Sequence, residues 1–294
     1  GGARRGWAEV THAAWRRWLP LATLLSCLLP AGTGAQGTNA KALADARAWL
    51  SRIHAAASSG NYHGTMVFSA GGALSSSRVW HYCVGDQTYE KLETLDGRQQ
   101  RIVRHNDAVH TLWPQSRLAV VERREALAAW STTPQRVDPK ALDQYELRPG
   151  GVARVAGREA TVFVLEPRDA LRYAQRLWAD QATGLMLRAD VIGPGTGQPV
   201  LESTAFSEIE VDVEPQPQAV LQTLRKLDDY RVVRPQQKRT TLEAEGWVLA
   251  KPVSGFHLAG CLNRGMETTG ETDPVLQAGG VDLDHRHVGA AIGA

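Results

Sequence analysis

Residues 62–83 read YHGTMVFSAGGALSSSRVWHYC, two alternating runs on either side of a glycine pair. In the first, Tyr62, Gly64, Met66 and Phe68 share one face. In the second, Val79, His81 and Cys83 lie opposite Trp80 and Tyr82. Period-two alternation bounded by turn residues is the signature of a half-buried strand. The pattern continues. Gly85-Asp86 turns into 87–95, and Asp96-Gly97, a strong hairpin signal, turns into 98–104. Strands follow at 108–113 and 117–122, giving six at a spacing near nine residues. Such spacing predicts an antiparallel meander rather than βαβ units.

Outward from this core, residues 39–59 predict a helix. Leu43, Ala46, Trp49, Leu50, Ile53 and Ala57 recur at helical spacing, Asn39 is placed to cap the start, and Gly60 to stop the end. Residues 124–140 break the strand rhythm with Pro134 and Pro139, as a flap or a short helix around Leu127–Trp130. Strands resume at 143–148, 151–156, 159–166, 170–179, 184–193 and 199–213, with Gly150-Gly151 among the turns. One long curved sheet with a helix on one side is the economical arrangement, a mostly β, α+β fold. Glu214-Pro-Gln-Pro-Gln218 is a stiff linker. A helix at 218–228 and short runs at 230–234, 246–250 and 256–262 follow, and 279–294 has no usable period and reads as disordered.

The chain of 294 residues is 43% hydrophobic and 22% charged, enough to bury a core and unlike a disordered or multi-span membrane protein. Its net charge of +2 excludes a general nucleic-acid binder. Residues 1–35 read as a secretory signal peptide. Arg16-Arg17 precede an apolar Leu19–Leu29 that is too short to span a bilayer, and Thr33-Gly-Ala35 supplies a small-x-small cleavage site. A membrane anchor, a twin-arginine leader and a lipobox at Cys27 fit less well. Removing four Arg and one Glu with this segment takes the charge from +2 to −1 and leaves Cys83 and Cys261. In an oxidising compartment these two either pair or remain buried thiols; both readings stand.

The chain contains no Gly-x-Ser-x-Gly, His-Glu-x-x-His, P-loop or Cys-x-x-Cys motif. Gly193-Pro-Gly-Thr-Gly197 sits between strands and is a turn. Asp282, Asp284, His285 and His287 lie in a Gly/Ala-rich tail, and no metal or other cofactor is assigned. The expectation is therefore a binding protein, not an enzyme. Met66, Phe68, Trp80, Trp113, Phe163, Trp178 and Met186 are either ordinary core or the lining of an acyl-chain cavity. Burying methylenes contributes about 0.8 kcal/mol each, so such a cavity needs few polar groups. Arg225, Lys226, Arg231, Arg234, Lys238 and Arg239 place six basic residues in fifteen, a solvated face or a docking surface for an acidic partner or lipid phosphate.

From Trp49-Leu50 to about Gln277 the sequence resembles the RseB/MucB periplasmic regulators of the envelope-stress sigma factor. The stretches that carry the resemblance include Asn61-Tyr62-x-Gly64-Thr65-x-Val67, Leu95-Asp96-Gly97, Val120-Val-Glu-Arg-Arg124 and Val155-Ala-Gly-Arg158. Further on come Pro167-Arg-Asp-Ala170-x-Arg172-Tyr173, Arg176-Leu-Trp178-x-Asp180, Thr183-Gly-Leu185 with Asp190, Pro252-x-x-Gly255-Phe256 and Glu271-Thr-Asp-Pro-Val-Leu-Gln277. The resemblance implies an N-terminal unclosed β-barrel with a helix, like the LolA lipoprotein carriers, and a smaller α+β C-terminal domain. The expected organisation is a signal peptide at 1–35, a lipid-sensing domain at 36–213, a linker at 214–218, a partner-binding domain at 219–278 and a tail at 279–294.

It further implies a non-enzymatic periplasmic role. Such a protein binds the periplasmic part of a membrane anti-sigma factor, shields it from regulated proteolysis, and is released by lipid or lipopolysaccharide. The C-terminal domain is the expected main contact and the barrel the expected lipid sensor. A lipid or lipoprotein carrier of LolA type is the alternative, and the oligomeric state, monomer or homo-oligomer, is open. After Gln277 the resemblance stops at Ala278-Gly-Gly280. A shifted reading frame or truncation there is the expectation, leaving the second domain incomplete with an unpaired edge.

Overall fold

A computed structural model describes residues 34–123, 141–248, 250, 251, 253, 256–265 and 287–293. Most of the leader, the break at 124–140, and Asp282, Asp284 and His285 lie outside them. The chain divides into two units, residues 1–40 and 41–294; the first holds the opening turns of the first helix, and the second is described below.

Helix α1 (Gly34–Ser59) leads into β1 (Tyr62–Ala70), β2 (Ala73–Val84), β3 (Gln87–Thr94), β4 (Arg101–His105), β5 (Ala108–Trp113) and β6 (Leu118–Arg123). A short α2 (Ala141–Gln144) precedes β7 (Tyr145–Val155), β8 (Arg158–Pro167), β9 (Ala174–Asp180), β10 (Met186–Ile192) and β11 (Val200–Val211). Then come α3 (Pro217–Leu221) with a 3-10 turn at Gln222–Lys226, β12 (Arg231–Val233), β13 (Gln236–Arg239), β14 (His257–Gly265) and β15 (His287–Gly293).

Twelve strands form one sheet in the order β12-β6-β5-β4-β3-β2-β1-β11-β10-β9-β8-β7. Both halves are meanders, as the turn spacing predicts, and pairing of β1 with β11 joins them. The end strands β12 and β7 are not hydrogen-bonded to each other, so the sheet is unclosed. All neighbours are antiparallel except β12, which returns from beyond the Pro-rich linker to lie parallel to β6. A second sheet has the order β13-β14-β15.

Several expectations change. Asn39 lies inside α1, which already begins at Gly34 and runs through Gly37. Gly60 does end it: its N–H donates to the Ala56 carbonyl at 3.0 Å, and a Cβ there would lie 2.5 Å from that oxygen. Gly150-Gly151 is a bulge in a continuous β7, not a turn; Gly151 at φ +91° absorbs the register shift opposite Val162. Residues 170–173 stay in a loop before β9. Only a single turn of α3 precedes the 3-10 segment where a helix to 228 is expected. Trp247 and Val248 lie in no strand and are exposed. Residues 287–293 form β15, paired along β14; a Gly/Ala-rich strand carries too few side chains to alternate visibly.

Directly opposed antiparallel residues share a sheet face. α1 covers one face over β8–β10, where Leu50 and Ile53 pack with Phe163, Leu165, Leu177, Ala179 and Met186. On the opposite face α3 supplies Val220 to Tyr82 and Val103 of β2 and β4.

Candidate functional site

The strands beneath α1 are held by charged anchors, Arg52 on the helix and the Asp180 and Asp190 sets on the opposite face of the sheet. Arg52 Nη2 donates to the carbonyls of Gln181 (2.7 Å) and Ala182 (2.6 Å), tying the helix to the β9–β10 turn. That turn is built on Asp180, which accepts two hydrogen bonds from Arg158 and two from Thr183, through its N–H and hydroxyl. Burial opposes the Asp180 charge, but Arg158 and Thr183 outweigh it and hold the carboxyl below its ordinary range. Asp190 is held similarly by Arg188 and Ser203. The family-like stretches around Asp180, Thr183-Gly184-Leu185 and Asp190 are thus structural supports of the helix-bearing half.

The register divides the seven apolar candidates. Phe163, Leu177, Ala189, Thr204 and Phe68 are opposed in series across β8, β9, β10, β11 and β1 and share the α1 face. Met66, Trp113 and Met186 lie on that face too, by alternation and pairing. Phe163 and Met186, 7% and 1% exposed, are core beneath Trp49, Leu50 and Ile53. Met66 is half-buried at the margin of the Tyr62–Leu185–Phe206 cluster, which Ala56 of α1 also joins, while Trp113 is half-buried and Phe68 is 42% exposed on the same face. Trp80 and Trp178 lie on the opposite face. Trp80 packs with the Tyr82–Val103–Val220 cluster beneath Lys91 Nζ (4.3 Å), and Trp178 stacks under Arg188 (4.5 Å). The seven therefore do not converge on one site. Alternation gives parity within a strand but not which face the helix takes.

Of the basic candidates, Arg225 and Lys226 occupy the 3-10 turn, with Arg225 donating to Gln218 Oε1 at 2.8 Å. Arg231 opens β12, Arg234 follows it near His110, and Arg239 ends β13. All five are exposed, with Asp228 and Asp229 exposed among them. Lys238 belongs to β13, its side chain outside the described residues. These positions follow the edge from α3 through β12 into the second sheet.

A buried polar cluster was not read from the motifs. His81 Nδ1 lies 2.9 Å from Glu90 Oε1, and Arg104 Nη1 donates to the other Glu90 oxygen at 3.0 Å. The three are directly opposed on β2, β3 and β4. Cys83 Sγ lies 3.4 Å from His81 Nε2 and donates to the Ser58 carbonyl at 3.1 Å. Tyr62 stacks on the imidazole at 4.9 Å. Burial opposes a charged His81, but the hydrogen bonds to Cys83 and Glu90 outweigh it and raise its pKa to about 9. The signal lay in the shared face of His81 and Cys83; the acid opposite His81 on the next strand had no marker. The two cysteines among the described residues are free thiols, Cys83 half-buried and Cys261 buried. Among the described residues no cluster of three or more His, Cys, Asp or Glu is arranged to hold a metal, and no helix is long and apolar enough to cross a membrane.

An unclosed, almost wholly antiparallel sheet with a helix packed on each face defines a β-scaffold protein. Residues 45–224 match the MucB/RseB N-terminal domain, and the chain belongs to that family. It is 34% identical over 174 residues to the sigma factor AlgU regulatory protein MucB of Pseudomonas aeruginosa, covering 58% of this chain and 52% of that protein. It is 30% identical over 132 residues to the sigma-E factor regulatory protein RseB of Haemophilus influenzae, covering 45% and 42%. The chain thus spans about half the length of these relatives. Among solved structures, the MucA/MucB complex of P. aeruginosa aligns with TM-score 0.53 at 25% identity, covering 75% of this chain and 76% of that one. MucB alone aligns with TM-score 0.54 at 26% identity, covering 76% of each.

Proposed function

We propose that this protein is an exported, periplasmic negative regulator of an envelope-stress sigma factor. It binds the periplasmic domain of a membrane anti-sigma factor, protects that domain from regulated proteolysis, and lets go when lipid or lipopolysaccharide binds. It performs no catalysis. The observation that carries this reading is the alignment over three quarters of the chain with MucB, which has been solved in complex with MucA(peri).

Residues 36–213 are the proposed lipid-sensing part, with the exposed Phe68, the half-buried Trp113 and, at the margin of the core, Met66 as its acyl-chain contacts on the α1 face. Residues 219–278 are the proposed partner-binding part, with the exposed Arg225, Lys226, Arg231, Arg234 and Arg239 meeting an acidic surface. β12 is hydrogen-bonded to β6 and Val220 sits in the large sheet's core, so the docking segment is in direct contact with that sheet. Lipid must favour the arrangement with lower partner affinity, since only differential affinity shifts such an equilibrium. Capture of the anti-sigma periplasmic domain on immobilised protein, with and without lipopolysaccharide, tests the reading. Binding that lipopolysaccharide reduces supports it; no binding rejects it, and binding indifferent to lipid removes the sensor. A lipid carrier would use the same three apolar residues and leave the basic edge without a role.

A further inference from the structure

Cys83, His81 and Glu90 stand in the order of a thiol nucleophile, an imidazole and its orienting carboxylate. The separations are 3.4 Å from Sγ to Nε2 and 2.9 Å from Nδ1 to Oε1. The imidazole is fixed on three sides, by Glu90, by the sulfur, and by Tyr62 stacked within 10° of parallel. Arg104 holds the second Glu90 oxygen, so the carboxylate is also fixed. Nothing in the regulatory reading above uses this arrangement, and Cys83 is only half-buried while Cys261 is buried.

We propose that Cys83 is a site of reversible oxidation by small hydroperoxides, with His81 as the proton donor to the leaving group. The thiol releases its proton to solvent and the sulfur attacks one peroxide oxygen. The S–O bond forms as the O–O bond breaks; sulfur loses two electrons and the peroxide gains them. The departing hydroxide takes the proton from Nε2 of His81 and leaves as water, giving a sulfenic acid and a neutral imidazole. His81 then regains a proton from solvent, and Glu90 opposite Nδ1 favours its return. Overall, one thiol and one hydrogen peroxide become one sulfenic acid and one water. A low-molecular-weight thiol reverses the step by forming a mixed disulfide and then exchanging it.

The modification has a direct structural reader. The same sulfur donates to the Ser58 carbonyl, and the Cys83 N–H donates to Asn61 Oδ1 at 2.8 Å, so Cys83 fastens the end of α1 to β2. Oxidation removes the S–H donor from that fastening.

The test treats the full chain with hydrogen peroxide, quenches with an alkylating agent, and follows the free-thiol fraction at Cys83 and Cys261 by peptide mass spectrometry. Cys83 is expected to be lost at least about tenfold faster than Cys261, and His81→Asn to slow its loss about tenfold. Equal rates at the two cysteines, or an unchanged Cys83 rate in His81→Asn, overturn the proposal. Because replacing buried His81 also costs stability, a second measurement uses the unaltered chain. Its Cys83 rate is expected to stop rising above about pH 9, where His81 loses its proton; a rate that climbs steadily through pH 10 overturns the proton-donor role.

Discussion

Arg158 grips Asp180 through two parallel hydrogen bonds, Nε to Oδ1 at 2.9 Å and Nη2 to Oδ2 at 3.0 Å, across the β8–β9 pair. Asp180 is 2% exposed and also takes both Thr183 donors. Removing the carboxylate strands a partly buried guanidinium and unties the turn that Arg52 holds. Asp180→Ala is expected to cost about 3 kcal/mol. Urea denaturation measures it, and a loss below about 1 kcal/mol contradicts the assignment.

Ile53 and Phe68 share an apolar face but not a role. Ile53 is 1% exposed beneath β8–β10, so Ile53→Ala is expected to cost about 2–4 kcal/mol through the cavity it leaves. Phe68→Ala is expected to cost under about 1 kcal/mol and to weaken lipid binding several-fold. Thermal denaturation and a fluorescent-lipid titration on both variants check the contrast.

His81 and Glu90 give the fold an opposed pair of pH limits. The folded chain holds the His81 proton with a pKa of about 9 against 6.5 unfolded, so this contribution is complete below pH 6.5 and is lost as pH rises through 9. For Glu90, burial opposes the charge, but His81 and Arg104 outweigh it and lower the pKa beneath 4.5; its contribution is present above 4.5 and is lost as pH falls. Stability is expected to drop on the order of 2 kcal/mol between pH 6 and pH 9.5, and His81→Asn to flatten that drop. Urea midpoints across this range decide it.

The meander was legible because its first strands alternate and end at Gly71-Gly72, Gly85-Asp86 and Asp96-Gly97. The helix was legible because Trp49, Leu50, Ile53 and Ala57 make one stripe. What was not legible depends on distant partners. The bulge at Pro149/Gly151 is defined by β8, and the parallel return of β12 by β6. The division of the apolar candidates depends on which face α1 occupies, which no single strand records. Gly64 looked like part of an apolar face; its reason is the approach of the Glu208 carbonyl, 2.3 Å from where a Cβ would stand.

The basic edge makes a salt-sensitive claim. Reversing Arg225, Lys226 and Arg234 to Glu is expected to slow association with an acidic partner about tenfold at low salt and to leave folding unchanged. All three are exposed, so a change in melting temperature would point to a structural role instead. Surface-based kinetics at two ionic strengths reads the effect.

Cleavage of the anti-sigma periplasmic domain by its membrane protease, timed with this protein present and lipopolysaccharide titrated in, probes the regulatory account most directly. Slow cleavage that lipopolysaccharide restores to the unprotected rate is the predicted result. Cleavage equally fast with and without the protein, at concentrations where the two bind, would contradict it.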